Sequence, residues 1–177
     1  MADKDRSREL IRLVYCSTAT FSSQEGTAGV EKEVARILME SRRNNPALEL
    51  GGVLHYGNGY FFQALEGERR KVNDRYERIV NDERHRDVEL LSVHRVKERL
   101  FPDWSMKYVA VEDRIRQLLG KKGVANFNPY NFDEDFCEEL IRCFVESPEA
   151  AADAKPAGGD RKDPEGRKPS LMQRIFG

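Results

Sequence analysis

A glutamine, a tyrosine, an asparagine and an Arg/Asp pair are the residues of this chain whose types and spacing could do chemistry together. Gln63 lies in Tyr60-Phe61-Phe62-Gln63-Ala64-Leu65-Glu66-Gly67, where every other member before Glu66 is apolar or aromatic. A primary amide buried there without partners would cost about 1 to 3 kcal/mol, and its two donors and one carbonyl acceptor can face a polar ligand edge from either side. Two readings therefore stand: a core amide satisfied by backbone or water, or one half of a hydrogen-bonding switch. Its company decides between them.

The elements that must position this company follow from periodicity. Residues 10–17 alternate Ile11, Leu13 and Tyr15 against Leu10, Arg12, Val14 and Cys16, as a sheet strand does. Val30, Val34, Ile37, Leu38 and Ser41 recur at helical spacing, and Asn45 continues their stripe just before Pro46 ends it. Residues 52–56, the turn Gly57-Asn58-Gly59 and residues 60–65 read as a hairpin. A second helix is expected with Val72, Tyr76, Ile79 and Val80 as its buried stripe and Arg78 and Asp82 one turn apart beside it. Strands at 88–96 and 106–111 follow.

Strand, helix, strand, strand, helix, strand is the α+β ferredoxin-like βαββαβ arrangement, here with a fifth strand and two helices on one sheet face. The other face is left for C-terminal helices. Ile115, Leu118 and Leu119 predict a short helix ended by Gly120; Phe132, Phe136, Leu140, Cys143 and Phe144 predict another, with Asn131 as N-cap and Glu134 as its capping-box partner. The expected organisation is an N-terminal extension (1–8), one domain (9–111), a helical extension (112–146) and a polar, Pro/Gly-interrupted tail (147–177). In the tail, Leu171-Met172-Gln173-Arg174-Ile175-Phe176 reads as a frayed end or a docking peptide.

In this topology the strands carrying Tyr15 and Gln63 are neighbours, and both side chains can face the helix-covered side. Asn45 joins them from the first helix, between Ile37 and Ile79 offered by the two helices. Two isoleucines can sandwich a flat ring, and amides at its edge match alternating carbonyls and ring nitrogens, with Arg78 and Asp82 at the rim. A flavin fits that description, although each polar residue alone is equally a satisfied core or helix-end group.

Charge narrows the partners. Thirty basic and 31 acidic residues leave a net charge of −1 and no field directed at nucleic acid or an anionic membrane. The chain lacks a run of the ~20 apolar residues a membrane span needs, and its charged start is no signal peptide, so a cytoplasmic protein is expected. Cys16, Cys137 and Cys143 are odd in number and lack a C-x-x-C pair, which argues against a disulfide framework or a metal site.

The chain also resembles the BLUF family, the blue-light sensors that use flavin, over residues 10–111. The matching marks are Leu13-Val14-Tyr15-Cys16-Ser17, Asn44-Asn45, Gly52-Val53-Leu54, the Gln63 run, Asp82-Glu83-Arg84-His85, and Arg99-Leu100-Phe101-Pro102-Asp103-Trp104-Ser105-Met106. The resemblance implies FAD, or FMN or riboflavin, between the two helices. Asn45, with Asn44 beside it, would bond the ring edge, Arg78 and Asp82 would hold the other side, and Gln63 would bridge Tyr15 and the flavin. Blue light would make the flavin a strong oxidant, Tyr15 would give up an electron and then a proton through Gln63, and recombination would leave Gln63 rotated or tautomerised. Trp104 and Met106 compete in the family for the place beside Gln63 and would relay the change to the last strand and the C-terminal helices beyond. His85 is either a contact to the ribityl or phosphate end or a turn histidine capping a helix. Gly51 stands where family members usually carry Thr or Ser, which is expected to loosen that edge.

The implied function is a non-enzymatic stand-alone photoreceptor whose output is a protein partner or self-association. A ferredoxin-like interaction module without photochemistry is the alternative, and retention of Tyr15, Asn45 and Gln63 together argues against it. A flavin redox enzyme would need an acid or base beside the ring, and none stands out.

Overall fold

A computed structural model describes residues 9–21, 26–110 and 113–148, with side chains left out of the description at 26–31. The expected N-terminal extension, the stripe position Val30 and the tail from 149 onward, with its 171–176 segment, lie outside the described residues. Five strands form one sheet; counted in chain order, they lie in it as the fourth, first, third, second and fifth. β1 (Leu10–Ala19) leads to α1 (Gly26–Asn44), the hairpin β2 (Gly51–Gly57) and β3 (Tyr60–Glu68), α2 (Arg69–Val80), β4 (His85–Arg95) and β5 (Lys107–Val109). α3 (Asp113–Lys121) and α4 (Glu134–Glu146) complete the described chain. This is the expected α+β ferredoxin-like order, with β5 added in parallel to β2.

Alternation along the strands builds two cores. Ile11, Leu13 and Tyr15 join Val34, Ile37, Leu38 and Val72 on the α1/α2 face. Val14, Phe62 and Ala64 join Ile115, Leu140 and Phe144 on the α3/α4 face. The hairpin turns on Asn58 and Gly59, with φ of 52° and 84°, the left-handed pair that matches strand twist.

Several boundaries move for local reasons. Val80 is exposed, because it ends α2 where the stripe has already left the sheet; Tyr76 and Ile79 pack partly and Val72 fully. β4 starts earlier than expected, at His85, and its pairing with β1 shifts register twice. α3 runs through Gly120 and stops before Gly123, whose φ of +70° suits glycine. Asp133, not Asn131, caps α4: its carboxylate accepts from Phe136 N at 2.8 Å, while Asn131 closes a short 3-10 turn over Pro129–Asn131.

Gly51 is a correction of another kind. A Cβ there would sit 2.3 Å from Phe101 O and 3.1 Å from Trp104 O, so the missing side chain admits a close backbone approach rather than loosening the edge. Gly52 N donates to Trp104 O at 3.3 Å beside it. Gly51→Thr is therefore expected to destabilise the fold by about 1 to 3 kcal/mol in denaturant unfolding, by overpacking against backbone that must shift. An unchanged midpoint would contradict this close approach.

Candidate functional site

Between α1 and α2, above β1 and β3, lies a cleft lined by all nine of the expected contact residues on these elements. Tyr15 and Gln63 form its floor, Ile37 and Ile79 its apolar walls, and Asn44, Asn45, Arg78, Asp82 and His85 its polar margin. The floor follows from register: Tyr15 pairs directly with Gln63 across the antiparallel β1–β3 ladder, which puts both side chains on one face. The Tyr15 hydroxyl donates to Gln63 Oε1, with both residues buried. Burial raises the Tyr15 pKa well above 10, with Tyr76, Asp82 and Cys16 adding to it, so the phenol is neutral and keeps its proton.

The other end of the Gln63 amide settles which of two residues reaches it. Gln63 Nε2 donates to Met106 Sδ at 3.3 Å, and Met106 is buried in the same core. Trp104 packs instead against the opposite core, its ring 6.2 Å from that of Phe101. Because an amide nitrogen carries two N–H groups, one remains for the cleft.

Asn45 supplies the test of fit. It is 1% exposed, its Nδ2 donates to Ser105 O at 2.7 Å, and its Oδ1 is buried without a partner. A buried acceptor left alone costs free energy, and one facing a cleft between two isoleucines is matched by an N–H on the edge of a flat heterocycle. The residues present thus fit a flavin ring: Asn45 Oδ1 offers an acceptor and Gln63 a donor.

The rim is more tightly organised than its residue types suggested. Asp82 is held by Arg84 through 2.6 Å and 2.9 Å contacts, and Arg84 reaches Glu40 of α1 at 2.6 Å. Burial pulls the Asp82 pKa up, but the side-chain and backbone hydrogen bonds of Arg84 outweigh it and hold the carboxyl low. Arg84 and Arg75, which also line the cleft, were missed by the sequence reading. A signal for Arg75 existed, since it precedes Arg78 by three on one helix face; its Nε is buried without a partner, and burial lowers its pKa. His85 is not a helix cap. Its ring is buried, with Nδ1 2.8 Å from Ser17 Oγ and its centroid 4.7 Å from that of Phe61.

Comparison with known proteins decides the family. The family model described as BLUF, sensors of blue-light using FAD, matches residues 10–107. The chain belongs to the BLUF family. BLUF domains are flavin-binding sensors of blue light. The solved structure of BlsA in its photo-activated state superposes with a TM-score of 0.75 at 28% identity, covering 80% of this chain and 99% of that one. The dark-state structure of BlrB, a BLUF protein, gives 0.62 at 26% identity over 78% and 97%. Photoactivated adenylate cyclase subunit beta of Euglena longa is 32% identical over 91 residues, 51% of this chain. The match spans only 11% of that relative's length. Among the described residues, no helix is long and apolar enough to cross a membrane.

The two buried histidines give this BLUF fold a pH signature. Burial lowers His85 and His55 from 6.5 to about 4. The unfolded chain therefore binds protons that the folded one refuses. The stability they leave intact above pH 6.5 is lost as pH falls towards about 4, by roughly 3 kcal/mol for each. Unfolding titrations at pH 7 and pH 5 are expected to show the larger part of this loss, and His85→Gln is expected to remove about half of it, leaving the share of His55. A pH-independent midpoint over that range contradicts both assignments.

Proposed function

We propose that this chain is a blue-light photoreceptor in which FAD lies in the α1/α2 cleft and Tyr15 and Gln63 carry the photochemistry. The observation that carries the reading is the Tyr15–Gln63 hydrogen bond beside the partnerless Oδ1 of Asn45. Asn45 and Asn44 would hold the ring edge, Ile37 and Ile79 its faces, and Arg78, Asp82 and His85 its far side. Arg75 joins Arg78 and Arg84 as a third arginine lining the cleft, which favours a phosphate-bearing flavin over riboflavin.

Once bound, the flavin supplies blue-light absorption and, when excited, the pull for one electron. Tyr15 holds its proton in the dark because its buried phenol is neutral. After loss of an electron the phenol is a strong acid, and its proton has one short path, to Gln63 Oε1. The amide protonated at oxygen would pass a proton from its nitrogen into the cleft, to the flavin that took the electron, and would be left as its imidic tautomer or free to rotate. When electron and proton return to Tyr15, Gln63 is left with its donor and acceptor redistributed between Tyr15, the cleft and Met106. No substrate bond is made or broken in this cycle.

Residues 9–111 would form the flavin-binding unit and 112–146 a helical extension that passes the change on. The name of the Euglena longa relative, a photoactivated cyclase subunit, favours an output carried by another protein or domain. Cys16, Cys137 and Cys143 form no disulfide among the described residues, which suits a reducing cytoplasm, and balanced charge favours a protein partner or a second copy over nucleic acid.

The test is the visible spectrum of the purified, flavin-loaded chain before and after blue light. A reversible shift to longer wavelength is expected, abolished by Tyr15→Phe and by Gln63→Ala while flavin stays bound. A chain that takes up no flavin, or that bleaches to reduced flavin without recovery in the dark, would overturn the proposal.

A further inference from the structure

Lys107 is 1% exposed, and a buried ammonium is costly unless its charge and donors are matched. Among the described residues, a carbonyl and an aromatic ring match it. Nζ donates to Val145 O at 3.0 Å, a carbonyl in the last turn of α4, where the helix dipole is negative. It also stands 4.3 Å from the centroid of the Trp104 ring, the attractive face of an indole for a cation.

Met106 precedes Lys107 by one residue and points the other way. Met106 belongs to the α1/α2 core and accepts from Gln63 Nε2 at 3.3 Å. Lys107 pairs with Val53, a member of the α3/α4 core, and so faces α4. Consecutive residues therefore hold the photoactive amide with one side chain and the end of α4 with the next. We propose that Lys107 is a positioning residue that makes the docking of α4 depend on the state of Gln63. This rests on the light-sensing reading above.

The coupling is local and geometric. Gln63 that turns its nitrogen away from Met106 removes the donor from which that sulfur accepts among the described residues. β5 is three residues long, and its backbone is held on both sides of Lys107, by Arg42 Nε on Met106 O at 3.1 Å and by His55 Nδ1 at 2.7 Å from Val109 O, so a shift at Met106 is passed along the strand rather than absorbed within it. Met106 and Lys107 share a peptide bond, and a hydrogen bond weakens steeply with distance and angle, so the Nζ–Val145 contact registers that shift. Trp104 is held at its backbone, where Gly52 N donates to its carbonyl at 3.3 Å, so a shift of Lys107 also changes the distance from Nζ to the indole ring.

The test is hydrogen exchange across Glu134–Glu146 in flavin-loaded full-length chain, dark and illuminated, with the visible spectrum recorded on the same samples. In the native chain, illumination is expected to speed exchange in the last turns of α4 on the order of tenfold, within reach of one charge-assisted hydrogen bond. Lys107→Met should keep the reversible spectral shift, while its light-to-dark exchange ratio falls to about 1. Lys107→Arg should restore part of the ratio. A Lys107→Met protein whose exchange is faster in both states, with the native ratio intact, would make Lys107 merely structural and overturn the proposal. If Lys107→Met does not hold flavin, Lys107→Gln is read the same way, and a native ratio in it overturns the proposal. A native chain with no spectral shift would instead overturn the light-sensing reading, and this coupling with it.

Discussion

The structure depends on a hydrogen bond between two neighbouring strands, Tyr15 to Gln63. Both groups are buried, so neither can exchange its partner for water, and their cross-strand register leaves little freedom in their spacing. The bond uses the acceptor end of the amide and leaves the donor end to face elsewhere, towards Met106 and the cleft. An amide held in this way has two discrete arrangements rather than a continuum. That is the physical property a switch needs, and a packed sheet supplies it.

The opposite face of the sheet carries the matching constraint. Arg12 and Glu66 form a buried pair at 2.7 Å, Glu66 accepts from Phe101 N at 2.9 Å, and Arg12 reaches Glu138 of α4 at 3.0 Å. Arg12 is three residues before Tyr15 and Glu66 three after Gln63, so odd spacing on each strand turns these charges away from the cleft. Breaking such a pair by removing one partner leaves an uncompensated charge and is far costlier than never having built it. The segment bearing Trp104 and Met106 is thus anchored at Phe101 and closely approached by the Gly51 backbone. Any displacement is confined to its far end, where Met106 and Lys107 lie.

Much of this was legible in the residues. Period-two alternation placed Tyr15 with Ile11 and Leu13, the Asn-Gly turn fixed the hairpin, and the order of elements placed β1 beside β3. Every expected contact residue of the cleft lines it. Illegible were the features set by tertiary approach rather than by period. A three-residue β5 is too short to show which of Trp104 and Met106 points inward. The arginine cluster at the rim depends on Arg84 folding back on Asp82 across a turn. The cap of α4 went to Asp133 because a 3-10 turn ahead of the helix consumed Asn131. Gly51 read as a weakness because a backbone approach from residues 101–104 leaves no trace in strand pattern.

Light absorbed by a flavin in the cleft would change the hydrogen-bonding arrangement of one side-chain amide, that of Gln63. The most direct measurement is the NMR signal pair of the Gln63 side-chain NH2 in flavin-loaded protein, assigned by its loss in Gln63→Ala, in the dark and under blue light. The two proton shifts should change on illumination and return in the dark at the rate of the visible spectrum. Gln63 signals that stay unmoved while the flavin spectrum shifts would contradict the account.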